Sequence, residues 1–127
     1  MKKEIMDVRG VAPSAGPFNH VVKAGGFLFL SSQLSIDLET NKILAGGITE
    51  QTRNALENLK FLLESSGSNM EDVVRIAIYL RNIEDFDEMN DVYREYFVSG
   101  QEPARVTVQA RSPIESIDIE IEAIAVA

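Results

Sequence analysis

Apolar and polar positions change period several times along the chain, and the changes divide it into elements. Phe18 to Ala24 and Phe27 to Leu34 read as two strands, and Gly25-Gly26 between them supplies the positive φ angles of a tight turn, so the spacing predicts an opening hairpin. Asp37 to Gly47 is polar, ends in Gly46-Gly47, and reads as a loop leading to Thr49, the expected N-cap of a long helix, followed by Glu50 and Gln51. Ile48, Thr52, Ala55, Leu56, Leu59, Leu62 and Leu63 fall on one helical stripe, and Gly67 stands where a left-handed residue ends it. Val73 to Arg81 is rich in β-branched residues and predicts a strand. A second helix is expected from about Asn82, with Asp85 in its first turn and a stripe of Phe86, Met89, Tyr93, Tyr96 and Phe97. Gly100 to Pro103 breaks that pattern. Two last strands are expected, Ala104 to Ala110 and Ser116 to Val126, around an Arg111-Ser112-Pro113 turn.

The order ββαβαββ predicts an α+β fold, a sheet with two helices packed on one face. Ile117, Ile119, Ile121, Ala123 and Ala125 share the side of the last strand expected to be covered, whereas Asp118, Glu120, Glu122, Ile124 and Val126 share the other. On the second strand both sides begin apolar, with Phe27 and Phe29 opposite Leu28 and Leu30. The uncovered face would therefore be sticky, and association with further copies of the chain is the ordinary remedy; scattered apolar residues on a solvated face are the alternative.

Composition narrows the partners. A length of 127 residues with 45% hydrophobic content fits one domain spanning 1–127. Twelve Lys and Arg against 20 Asp and Glu give a net charge of −8, so nucleic acid and anionic membrane surfaces are poor partners. The absence of cysteine excludes disulfides and thiolate chemistry, and with no signal-like or membrane-length apolar run the expected location is the cytoplasm. His20 is the only histidine, which excludes a multi-histidine metal site and leaves it a structural hydrogen-bonder. The aromatic stripe of the second helix reads as core rather than as a base-stacking surface.

A small polar set remains. Alternation along Pro103-Ala104-Arg105-Val106-Thr107-Val108 puts Ala104, Val106 and Val108 on the expected core side and Arg105, Thr107 and Gln109 on the other. If the last two strands pair across their turn, Arg105 and Glu120 would both reach the open face, in a pocket that a second copy could shield. Guanidinium binds carboxylate through two parallel charge-assisted hydrogen bonds, so Arg105 is a candidate anchor for a small organic acid. A structural Arg105–Glu120 ion pair at a subunit contact is the competing account. Asn90 lies on the Phe86, Tyr93 and Phe97 side of the second helix, where its amide either ties down a loop or touches a ligand.

Ala15-Gly16-Pro17-Phe18, Ser31-Ser32-Gln33, Asn90 through Tyr93, Pro103-Ala104-Arg105 and the ending Ile119-Glu120-Ile121-Glu122-Ala123-Ile124-Ala125 resemble, in order and spacing over nearly the whole chain, the reactive intermediate deaminase family, also called the RidA or YjgF family. The resemblance implies a chorismate-mutase-like fold, a homotrimer whose sheets line a central barrel, and three pockets between subunits. It implies hydrolysis of 2-imino and enamine acids, such as 2-iminopropanoate and 2-iminobutanoate, to 2-oxo acids and ammonia, with no metal or organic cofactor. By the same resemblance Arg105 holds the substrate carboxylate, Glu120 positions and activates the attacking water, and Phe18, Ser31, Asn90 and Thr107 line the pocket, Thr107 through its backbone. Glu122 is the less suited of the two acids.

The chain departs from the family pattern at four positions. Phe18 stands where tyrosine is common and lacks its hydroxyl; Ser32 replaces a usual glycine, Thr107 a frequent cysteine and Glu102 a frequent aromatic. Two readings follow: an imine deaminase, favoured by Glu120, and a non-catalytic small-carboxylate-binding regulator, favoured by Phe18. An RNA-cleaving activity is disfavoured by the charge of −8 and the lack of a basic patch.

Overall fold

The computed structural model describes residues 2–127 and has one six-stranded sheet with two helices. The strands are β1 (Glu4–Ile5), β2 (Val21–Ala24), β3 (Phe27–Gln33), β4 (Val73–Leu80), β5 (Ala104–Gln109) and β6 (Ile119–Val126). The helices are α1 (Ile48–Ser65) and α2 (Phe86–Tyr93), the latter flanked by short 3-10 turns at Ile83–Asp85 and Arg94–Tyr96. The sheet order is β1-β2-β3-β6-β4-β5. Among the described residues no helix is long and apolar enough to cross a membrane.

The hairpin forms as its glycines demand: Gly25 and Gly26 have φ of 58° and 82°, and Ala24 pairs with Phe27. The first strand is shorter than its pattern, because the segment ahead of Val21 lies in a loop, and a two-residue edge strand at Glu4–Ile5 was not expected. All seven stripe residues of α1 are buried. Its N-cap is Gly47 rather than Thr49, and no side chain caps it. At the other end Gly67 has φ of 86°, and the Ser68 amide donates to Leu63 O at 2.9 Å, which closes the last turn in a Schellman arrangement.

β6 lies at the centre. Its Ile119, Ile121, Ala123 and Ala125 are all buried beneath the helices, together with Leu28, Leu30, Ile76, Ile78 and Leu80 from β3 and β4 and Leu56, Leu59, Leu62, Leu63 and Met89 from the helices. The other side of the sheet carries Phe27, Phe29, Val106, Val108 and Val126, each about two-fifths exposed in the single chain. The apolar open face read from alternation is therefore present.

The strand partners of β5 correct the sequence reading. β5 does not pair with β6; it runs parallel to β4, which it joins through α2, and β6 inserts antiparallel between β3 and β4. A strand apolar along one whole side and half-buried on the other gains more from a central position than from an edge. In register, Arg105 is opposite Ile76 and Thr107 opposite Ile78, residues of the helix-covered side. Arg105 and Thr107 thus face the helices, and Val106 and Val108 face outward, the reverse of the expected assignment. On the open side Tyr79 is opposite Glu120 and Ala77 opposite Glu122.

The cap at Gly67 gives a clean stability test, since a Cβ there would meet nothing within 4 Å and the only cost is the left-handed backbone. Gly67→Ala should lower the unfolding free energy by about 1–2 kcal/mol in urea titration, and Gly67→Asn by less. An unchanged midpoint for Gly67→Ala would mean the helix end is free to rearrange.

Candidate functional site

The edge position of β5 leaves its helix-facing side covered only by α2, and Arg105 fills that space. Its Nη1 donates to Asn90 Oδ1 at 2.8 Å. The guanidinium carbon lies 4.7 Å from the ring centroid of Tyr93 and 5.6 Å from that of Phe86, both within cation–π range. These three residues are spaced one helical turn apart on α2, so a single face of one helix fixes the arginine on several sides. Asn90 therefore holds the guanidinium rather than tying down a loop, Tyr93 is buried and meets the arginine as well, and Phe86, 37% exposed, is not the core residue its stripe position suggested.

Among the described residues no carboxylate forms a salt bridge with Arg105; the two recorded ion pairs are Arg53–Glu95 and Arg94–Asp91. The guanidinium borders a cavity of about 290 Å³ with Asn90, Tyr93, Arg94, Glu102 and Pro103. Glu102 turns one oxygen back to the Gly100 amide at 2.8 Å, and Arg94 is engaged by Asp91 at 2.8 Å. Burial pushes the Tyr93 phenol up to about 12, against the lowering effect of Arg105, so the hydroxyl is neutral at physiological pH. Thr107 Oγ1 is buried without a hydrogen-bond partner, and the Tyr93 hydroxyl is buried with no well-formed hydrogen bond, although the Arg105 guanidinium is close enough to lower its pKa. A positive, bidentate donor facing open space, with Glu102 and Arg94 at the same cavity turned to partners of their own, is suited to a small carboxylate.

Glu120 is elsewhere. It projects from β6 onto the open face and borders a second cavity, of about 210 Å³, with Ser32, Tyr79, Arg111 and Ser112. Ser112 Oγ donates to Glu120 Oε2 at 2.5 Å. Glu122, two residues on, accepts from the Tyr79 hydroxyl, and that bond raises the phenol above its usual range. An Arg105–Glu120 ion pair within one chain is excluded by this geometry: the residues project from opposite sides of the sheet, with β4 between their strands and their β4 partners, Ile76 and Tyr79, three positions apart.

The remaining expected pocket residues border neither cleft in the single chain. Thr107 is on the Arg105 side of β5. Ser31 lies in the irregular stretch of β3 between Leu30 and Gln33, where the pairing register with β6 shifts, and its Oγ donates to Asn19 O at 2.7 Å. Phe18, in the loop ahead of β2, is 47% exposed and meets His20 edge-on at 6.0 Å between ring centroids. His20 Nδ1 is 3.2 Å from Gln33 Nε2, and partial burial lowers the imidazole's pKa. The structural role expected for His20 accords with these contacts. The partnership of Phe86 and Tyr93 with Arg105 was missed from sequence; the available signal was their spacing about Asn90.

The architecture is an α+β sheet with one helix layer, a guanidinium clamp at its β5 edge and an acidic cleft on its uncovered side. A family model described as Endoribonuclease L-PSP matches residues 9–127. A RutC family protein of Pyrococcus horikoshii is 42% identical over 97% of both chains, and a 2-iminobutanoate/2-iminopropanoate deaminase of Dermatophagoides farinae is 38% identical over 87% of this chain and 86% of that protein. The solved structure of E. coli TdcF with bound serine superposes with a TM-score of 0.85 at 30% identity, covering 98% of each chain. The chain belongs to this L-PSP family, which includes the RutC and RidA/YjgF proteins.

The buried, unpartnered Tyr93 hydroxyl predicts that Tyr93→Phe keeps the ring beside Arg105 and removes an unsatisfied polar atom. Its unfolding free energy should rise by about 1 kcal/mol in denaturant titration. A loss of that size would show that the hydroxyl has a partner in solution.

Proposed function

We propose that the protein hydrolyses short 2-imino and enamine acids to 2-oxo acids and ammonia, at pockets between subunits of a homotrimer. The observation that carries the reading is the guanidinium of Arg105, held by Asn90, Tyr93 and Phe86, facing open space and not neutralised by any described carboxylate. The similarity to a named 2-imino acid deaminase supports the reaction class, and the serine-bound relative supports an amino-acid-like ligand.

In this mechanism Arg105 takes the substrate carboxylate in bidentate fashion, leaving the imine carbon at the cavity mouth. Glu120 of a neighbouring copy accepts a proton from a water molecule as its oxygen bonds to that carbon. That proton passes to the imine nitrogen to complete the carbinolamine, whose hydroxyl then gives up its own proton to the nitrogen as the carbon–oxygen double bond forms and the carbon–nitrogen bond breaks, releasing the 2-oxo acid and ammonia. A positioned general base of this kind contributes about 10²–10⁴-fold. Within one chain Glu120 faces away from Arg105, so the mechanism requires a second chain. The apolar open face supplies the reason for copies to associate. Ser31, Phe18 and the backbone at Thr107 serve as pocket walls in this reading. No step needs a metal or an organic cofactor, and with a net charge of −8 the reading involves neither nucleic acid nor a membrane surface. In this reading the protein acts in the cytoplasm.

The test is a coupled assay with threonine dehydratase and threonine, following 2-oxobutanoate formation and semicarbazone trapping of the imine. The wild-type protein should accelerate the first and suppress the second. Arg105→Lys keeps the charge but loses the planar fork and should cost about 10–100-fold in kcat/KM, and Arg105→Ala should abolish activity with the assembly intact by sedimentation. Full activity in an assembled Arg105→Ala protein would refute the anchor role. Carboxylate binding without turnover in the wild type would instead support the regulator, the reading that Phe18, lacking a phenol hydroxyl, favours.

A further inference from the structure

The turn between β5 and β6 holds a serine whose orientation is set from both sides. The Ile114 amide donates to Ser112 Oγ at 3.1 Å, the local bond of a serine turn, and occupies an oxygen lone pair. With that lone pair taken, the Ser112 hydroxyl hydrogen is directed away from Ile114, and it is Glu120 Oε2 that accepts it, at 2.5 Å. The chain of donors runs in one direction, from a backbone amide through a hydroxyl to a carboxylate.

We propose that Ser112 is a positioning residue for the general base: it holds Glu120 by Oε2 and leaves Oε1 as the oxygen that meets the water. The inference rests on the imine-hydrolysing reading above and deepens it. A glutamate on a strand has three rotatable side-chain bonds and, unrestrained, spreads over several rotamers. On the open face its neighbours Tyr79, Ser32 and Arg111 border the cavity, and the Tyr79 hydroxyl is already committed to Glu122. Ser112 is the hydroxyl that fixes Glu120 in this chain. Its role is orientation; it touches neither substrate nor water and takes no part in proton transfer.

Ser112→Ala removes the restraint without charge, and Ser112→Thr keeps the hydroxyl. Both are compared with Glu120→Gln in the coupled assay, with sedimentation confirming assembly, and the Ser112→Ala protein is crystallised. We expect kcat of Ser112→Ala to fall roughly 10-fold with KM within about twofold of wild type, since the carboxylate anchor is untouched. Ser112→Thr should recover most of the loss, and the crystal should show Glu120 in more than one rotamer. Wild-type kcat in Ser112→Ala alongside an inactive Glu120→Gln overturns the inference and leaves the proposed reaction standing. A loss in both Ser112 variants, with weakened assembly, also overturns it by reducing the serine to a structural part of the turn. If the wild-type protein hydrolyses no imine, the proposed reaction fails, and the crystal still decides whether Ser112 holds Glu120: a single unchanged rotamer in Ser112→Ala refutes the restraint.

Discussion

The register of β5 against β4 is the constraint from which the site follows. Because β4 reaches β5 through a helix, the two strands are parallel, and Arg105 is seated opposite Ile76 on the helix-covered side. A charged group could not be accommodated in the centre of that layer without a partner, but β5 is the edge strand and only α2 covers it. The helix meets the arginine with Phe86, Asn90 and Tyr93, two ring faces and an amide oxygen. The guanidinium is thus oriented by neutral groups that do not cancel its charge. A shift of one residue in the register would turn Arg105 to the open face and bring Val106 beneath α2, and the clamp would not exist.

The same register separates the two candidate chemical groups. Glu120 lies on the central strand and faces the side that the helices leave bare, beside Ser112 and Ser32. The open face is mixed: Phe27, Phe29, Val106, Val108 and Val126 at its apolar part, Glu120, Glu122 and Tyr79 at its polar part. Burial of the apolar part against another copy brings the polar part into a shielded environment, where hydroxyl-bound carboxylates are less costly than free ones. Under the proposed reading, association and site formation are one event, and the activity belongs to the assembly rather than to the chain.

Much of this was legible before any coordinates. Period-2 alternation in Ile119 to Ala125 identified the buried side of β6, the α1 stripe marked every buried position of that helix except the polar Gln51, and Gly25-Gly26 and Gly67 marked a turn and a helix end by conformations that other residues resist. Strand order was not legible, since alternation says which residues share a side but not which neighbour decides the side that is buried. In β5 the valines suggested the core and were wrong, because Ile76, Ile78 and Leu80 set the register and the edge position tolerates an arginine below and valines above. Arg105 and Glu120 were singled out from residue chemistry and resemblance; their placement on opposite faces, and the aromatic frame around the arginine, depended on contacts between distant segments that no local pattern encodes.

The claim that a working site needs Arg105 from one copy and Glu120 from another is tested most directly by mixing two inactive variants. Arg105→Ala and Glu120→Gln proteins, each assembled and inactive alone, are unfolded together in equal amounts and refolded, and imine hydrolysis is compared with that of each variant treated alone. In a closed ring with one arginine and one glutamate per site drawn from adjacent copies, random mixing leaves about one site in four intact, so roughly a quarter of wild-type activity should return. Mixed assemblies of full size that remain inactive would contradict the account.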